Sequence, residues 1–160
     1  MTLIPGGSTF SNPLQFRRSQ DFYIVSIIQL KCNASLSIST RWIIRNCSMT
    51  NCSNLIQIDP TVVTTSSELS IPARTLSYGI YQFELIVTMI SYPSLKTSMF
   101  VYARITPSGI TANLVPLGTS MITSGYEQEL QLDPGTYSID LDENSFNHTV
   151  SSKVMKRSSL

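Results

Sequence analysis

Charge is what this chain has least of. Only 13% of its 160 residues are Asp, Glu, Lys or Arg, about half the share found in ordinary soluble domains, and the formal net charge is +1. Such a chain exerts no long-range pull on polyanions, so no nucleic-acid partner is expected. Histidine is scarcer still. His148 is the only one, in a polar tail, and a Ser/His/Asp or Cys/His unit needs a firmly held base that this tail is a poor place to supply. No glycine-rich phosphate loop follows a strand, and no segment of period 3.6 offers a helix N-terminus to a phosphate. The expectation is a non-catalytic protein with no cofactor and no metal. The longest apolar stretches, Phe22 to Leu30 and Phe83 to Ile90, fall well short of the roughly 20 residues that cross a bilayer. Met1 to Asn12 lacks the charged start and apolar run of a signal peptide.

What is present is β-branched, aromatic and hydroxyl-bearing. Phe22 to Cys32, FYIVSIIQLKC, and Ser39 to Arg45, STRWIIR, read as largely buried strands. Leu55, Ile56 and Ile58 form a short third run that stops at Asp59-Pro60, since proline cannot donate to a sheet ladder. Ser67 to Ile71 places Leu69 and Ile71 on one face before Pro72 ends it. Ile80 to Ile90, with Phe83, Leu85, Val87 and Met89 spaced by two, and Ser98 to Ile105 complete six strands before the turn at Pro107 to Gly109. Short strands joined by polar turns predict an all-β fold: an antiparallel β-sandwich of immunoglobulin or fibronectin III type, followed by the start of a second sandwich. The organisation expected is a flexible segment over 1–15, a sandwich over 16–107, an incomplete second unit over 110–148 that opens with Ala112 to Leu117, Glu127 to Leu132 and Tyr137 to Leu141, and a polar, disordered tail over 149–160.

Three cysteines, Cys32, Cys47 and Cys52, lie close together, which in a secreted sandwich implies one disulfide and one leftover thiol. A bridge from Cys32 to Cys47 or to Cys52 would tie down the loop between two strands and stabilise by about 2–4 kcal/mol. Spacing alone leaves the pairing open, and a zinc site lacks a second cysteine pair. Four Asn-x-Ser/Thr sequons occur, at Asn33, Asn46, Asn51 and Asn147, and three of them flank the cysteines. Both signals favour an extracellular compartment. Against the missing leader, they are reconciled if the chain is an internal piece, splice product or fragment of something longer. The acidic concentration Asp133, Asp140, Asp142, Glu143 and Asn144 lacks the spacing of a twelve-residue calcium loop and reads as a solvated turn.

Leu69-Ser70-Ile71-Pro72 followed by Thr75-Leu76 and Gly79-Ile80-Tyr81-Gln82-Phe83-Glu84-Leu85 has chemistry of its own. Gly79 can take a positive φ, and Tyr81 at the head of a long strand can bury its ring while its hydroxyl bonds back to nearby backbone. The stretch resembles the receptor-for-egg-jelly (REJ) module of the polycystin-1 family, matching at Leu69, Ile71, Pro72, Thr75, Leu76, Gly79, Tyr81, Phe83, Leu85 and Val87. Further along, Leu132-Asp133, Ser138, Asp140 and Asp142 stand where that family places its next motif, and Trp42 stands where such modules have their core tryptophan. The resemblance covers about Phe10 to Phe146, and the tail departs from it. It implies a non-catalytic segment of the ectodomain of a membrane receptor at the plasma membrane or cilium, serving ligand binding, adhesion or mechanical sensing. Implied partners are other ectodomain modules of the same receptor, a polycystin-2-type channel subunit for the intact protein, and an extracellular protein or carbohydrate ligand. Two other readings compete: a self-contained secreted or cytosolic binding module, and a small calcium-dependent adhesion domain resting on the acidic turn.

Overall fold

The computed structural model describes residues 1–29, 37–48, 51–111 and 139–143. The chain divides into two units, Met1–Pro107 and Ser108–Leu160. Every regular element among the described residues is a strand. In the first unit these are β1 (Thr2–Ile4), β2 (Leu14–Arg17), β3 (Phe22–Ile27), β4 (Ile38–Ser48), β5 (Asn51–Leu55), β6 (Glu68–Ile71), β7 (Gly79–Met89) and β8 (Lys96–Thr106). They form a three-stranded sheet of order β1-β3-β6 and a five-stranded sheet of order β2-β8-β7-β4-β5. All pairings are antiparallel except that of β2 with β8, which is parallel. The chain is an all-β, antiparallel sandwich.

The sandwich follows from period-two patterning. Along β7, Tyr81, Phe83, Leu85 and Val87 are buried, and the residues between them face away, because successive side chains of a strand point to opposite faces. Val101, Ala103 and Ile105 of β8 and Trp42 and Ile44 of β4 line up beside them. Leu3, Phe22, Ile24, Leu69 and Ile71 from the smaller sheet join the same core cluster. Burying each large apolar side chain is worth about 1.5–3 kcal/mol. Phe22 is the aromatic centre, stacked on Phe16 with centroids 4.2 Å apart and edge-on to Phe83 at 5.8 Å. Trp42 takes its polar atom into the core with a partner: Nε1 donates to Ser66 O at 3.0 Å.

Three sequence expectations change here. Residues 1–15, read as flexible, contain β1, whose Leu3 is buried in the core and which pairs with β3. The run Leu55, Ile56 and Ile58 is displaced: the strand lies earlier, at Asn51–Leu55, and Ile56 only prolongs it through its N–H to Ile44 O. The reason is the third correction. Cys32 is not the partner of Cys47 or Cys52: the disulfide joins Cys47 to Cys52, with Cα atoms 4.0 Å apart. The antiparallel β4–β5 ladder, with Ser48 opposite Asn51 and Asn46 opposite Asn54, brings these two cysteines face to face at the spacing of a cross-strand pair. Cys32 lies outside the described residues.

In the second unit, β9 (Ile110–Thr111) pairs antiparallel with β10 (Ile139–Asp140). The solvated acidic turn does not hold for Asp142, which is buried and accepts from Ser108 N at 2.7 Å and Ser108 Oγ at 2.6 Å. A buried carboxylate needs such donors, and Asp140 Oδ1 in turn accepts from Asp142 N. Asp133, His148, Asn147, the strand readings over 112–138 and the tail over 149–160 lie outside the described residues.

Candidate functional site

The outer face of the five-stranded sheet concentrates what side-chain chemistry the first unit exposes. On β4, β7 and β8 the residues alternating with the core positions are Ile43 and Arg45; Gln82, Glu84 and Ile86; and Ser98, Phe100, Tyr102 and Arg104. The register sets them in rows across the strands, Ile43–Glu84–Phe100 and Arg45–Gln82–Tyr102. Arg45 Nη1 donates to Glu84 Oε2 at 2.6 Å and to Gln82 Oε1 at 3.3 Å, and Gln82 Nε2 donates to the Tyr102 hydroxyl at 3.2 Å. The Arg45 hydrogen bond holds the Glu84 carboxyl below the usual carboxylate range, with smaller help from Ser98 and the Arg45 charge and against the opposing effect of burial. Phe100 is 49% exposed and meets Tyr102 edge-on at 5.5 Å, and Phe10 also meets Tyr102 edge-on, at 5.9 Å.

Beside this network an open groove of about 460 Å³ runs along β4 to the loop after β5, between Arg41 and Arg45 on one side and Leu55, Ile58 and Asp59 on the other. Planar charged groups, aromatic edges and apolar walls suit recognition of a surface.

The residues singled out in the sequence occupy other places. Tyr81 is buried, and its hydroxyl donates to Ser77 O at 2.9 Å. Burial raises its phenol above the ordinary value, partly offset by hydrogen bonds with Asn46 and Ser77. Gly79 has φ of 149°, and a Cβ there would lie 3.6 Å from Asn46 Nδ2 and 3.7 Å from the Tyr81 ring. Asn46 therefore faces the core opposite Tyr81, half-buried, whereas Asn51 is exposed at the head of β5. Trp42 and Phe83 are core, and Pro72 follows β6. The sequence brings Trp42, Gly79, Tyr81 and Phe83 together as a structural centre, on the opposite side of the sheet from the Arg45–Glu84 network. That network went unread, although its signal was present: a charged residue within each of two apolar strands, out of phase with the core positions.

The family model described as REJ domain matches residues 26–151. The chain belongs to the REJ domain family. The REJ match opens inside β3 and runs past Pro107, so the family pattern includes parts of both units. No curated protein and no solved structure matches this REJ chain. The Cys47–Cys52 disulfide of the REJ module is a bond of oxidising compartments. Among the described residues, no helix is long and apolar enough to cross a membrane.

Proposed function

We propose that this chain is a non-catalytic, force-bearing module in the ectodomain of a polycystin-1-like membrane receptor, displayed at the plasma membrane or cilium. Family membership and the disulfide support the extracellular setting. In the intact receptor its neighbours are further ectodomain modules and a polycystin-2-type channel subunit. The strand orders β1-β3-β6 and β2-β8-β7-β4-β5, with a tryptophan core on β4 and a tyrosine corner at the head of β7, support an immunoglobulin-like sandwich, although neither β3 nor β7 supplies a cysteine for an inter-sheet bridge.

The observation that carries the mechanical reading is the parallel pairing of β2 with β8, from Leu14↔Ala103 to Arg17↔Thr106. Tension entering before β2 and leaving after β8 drags these two strands in opposite directions along their length. Every ladder bond between them is then loaded together, in shear, and Arg18 N donating to Thr106 O at 3.0 Å adds one more. In an antiparallel terminal pair the same tension would open the bonds one at a time.

Single-molecule stretching of the full chain tests this. One protein is held by handles at Thr9 and Gly109, which shears β2 against β8; a second is held at Thr9 and Tyr92, in the turn before β8, which peels them apart. The shear geometry is expected to need clearly more force for the same sandwich. Equal forces in the two geometries would remove the basis for a load-bearing role.

A further inference from the structure

We propose that the folded, secreted chain carries an N-linked glycan on Asn51 and none on Asn46, because Asn46 is half-buried on the core side of β4, in line with Trp42 and Ile44 and with its Nδ2 beside Gly79, whereas Asn51 is exposed on an edge strand. The inference rests on the extracellular reading and goes beyond it, by separating two sequons that are five residues apart and identical in pattern, Asn-Cys-Ser.

The chemistry is the same at both. A carboxamide Nδ2 attacks the anomeric carbon of an oligosaccharide carried on a lipid pyrophosphate. The bond from that carbon to the phosphate oxygen breaks as the N–C bond forms, one carboxamide proton is lost, and the lipid pyrophosphate departs. Nothing is oxidised or reduced. Transfer takes place before the chain has folded, so the structure acts by deciding which product can fold.

Asn46 sits opposite Tyr81 in the β4–β7 ladder, between the pairs Arg45↔Gln82 and Cys47↔Ile80. Its side chain hydrogen-bonds the Tyr81 hydroxyl, and its Nδ2 lies 3.6 Å from the point that a Cβ on Gly79 would occupy. A sugar ring on that nitrogen has to find room on the core side of β4, beside neighbours that are held in place: Tyr81 by burial and its bond to Ser77 O, Gly79 by its pairing with Ile105. A chain modified at Asn46 cannot close this register. Asn51, with Ser53 also exposed, heads β5, the outermost strand of the five-stranded sheet. A glycan there clashes with nothing described, and it shields an edge whose free N–H and C=O groups would otherwise invite pairing by another chain.

The test is site mapping on the full chain, secreted from animal cells behind an added signal peptide. Enzymatic glycan release in heavy-oxygen water marks each occupied asparagine as labelled aspartate, and fragmentation of the reduced peptide that starts at Asn46 assigns the label. Label on Asn51 with Asn46 unmarked is the expected result, and Asn51→Gln should lose one glycan's mass while Asn46→Gln loses none. Label on Asn46 in the folded protein, or a bare Asn51 alongside occupied Asn33 or Asn147, overturns the inference and leaves the extracellular reading standing. A chain bare at all four sequons overturns both. Mapping the unmutated chain keeps the test valid even where a variant folds poorly.

Discussion

At the scale of single residues, the outer-face ion pair sets a pH dependence. Glu84 and Arg45 are 19% and 27% exposed, and the hydrogen bond from Arg45 lowers the Glu84 carboxyl below its ordinary value of 4.5. A carboxylate depressed on folding contributes stability above its unfolded value, and that contribution is lost as pH falls through the lower, folded value. The natural chain should therefore exceed Glu84→Gln in urea midpoint at about pH 6 and lose that advantage as pH falls below 4.5 and through the lower, folded value, where the carboxyl becomes neutral. An advantage that survives at the lower pH would mean that Glu84 acts through packing and not through charge. Tyr81 carries no such dependence near neutrality, since burial moves its phenol upward, away from the physiological range.

At the scale of elements, the β4–β5 hairpin shows how register decides covalent chemistry. Cys47 is buried and Cys52 half-buried, and the bridge closes a loop only five residues apart in sequence. So short a loop limits the entropy removed from the unfolded chain, and the double variant Cys47→Ala, Cys52→Ala is expected to lose about 2 kcal/mol. Denaturant midpoints of the two proteins measure this; a difference of only a few tenths would mean that the ladder alone holds the hairpin. The strands themselves were unequally legible. β7 could be read because its buried residues keep period two over the whole strand, and β6 because Leu69 and Ile71 alternate up to a proline. β1 and β2 are three and four residues long, too short to display a period, and owe their place to partners distant in the chain.

At the scale of the molecule, one core joins both sheets, so its loss is global. Phe83 is wholly buried and meets Phe22 of the opposite sheet. Phe83→Ala should cost about 3–5 kcal/mol, a large part of the 5–15 kcal/mol typical of a whole domain. A single, strongly lowered cooperative transition by circular dichroism is the outcome expected; two separate transitions within Met1–Pro107 would mean that the sheets do not share a core. The shear geometry of β2 and β8 belongs to this scale as well, since it depends on where force enters and leaves the sandwich and on no single side chain.

The all-β class, the core positions on β4, β6 and β7, the tyrosine corner and the oxidising-compartment chemistry were all determined by local sequence, because period-two burial, proline stops and cysteine or sequon content are short-range signals. Tertiary structure alone decided which cysteines pair, which asparagine is left exposed, that β2 runs parallel to β8, and that Arg45 meets Glu84. Each of these is a question of register between paired strands, and a shift of one residue would move every side chain to the other face. Asp142 makes the same point in the second unit: an acidic turn that composition assigns to solvent is drawn inward by the two donors of Ser108, 34 residues away.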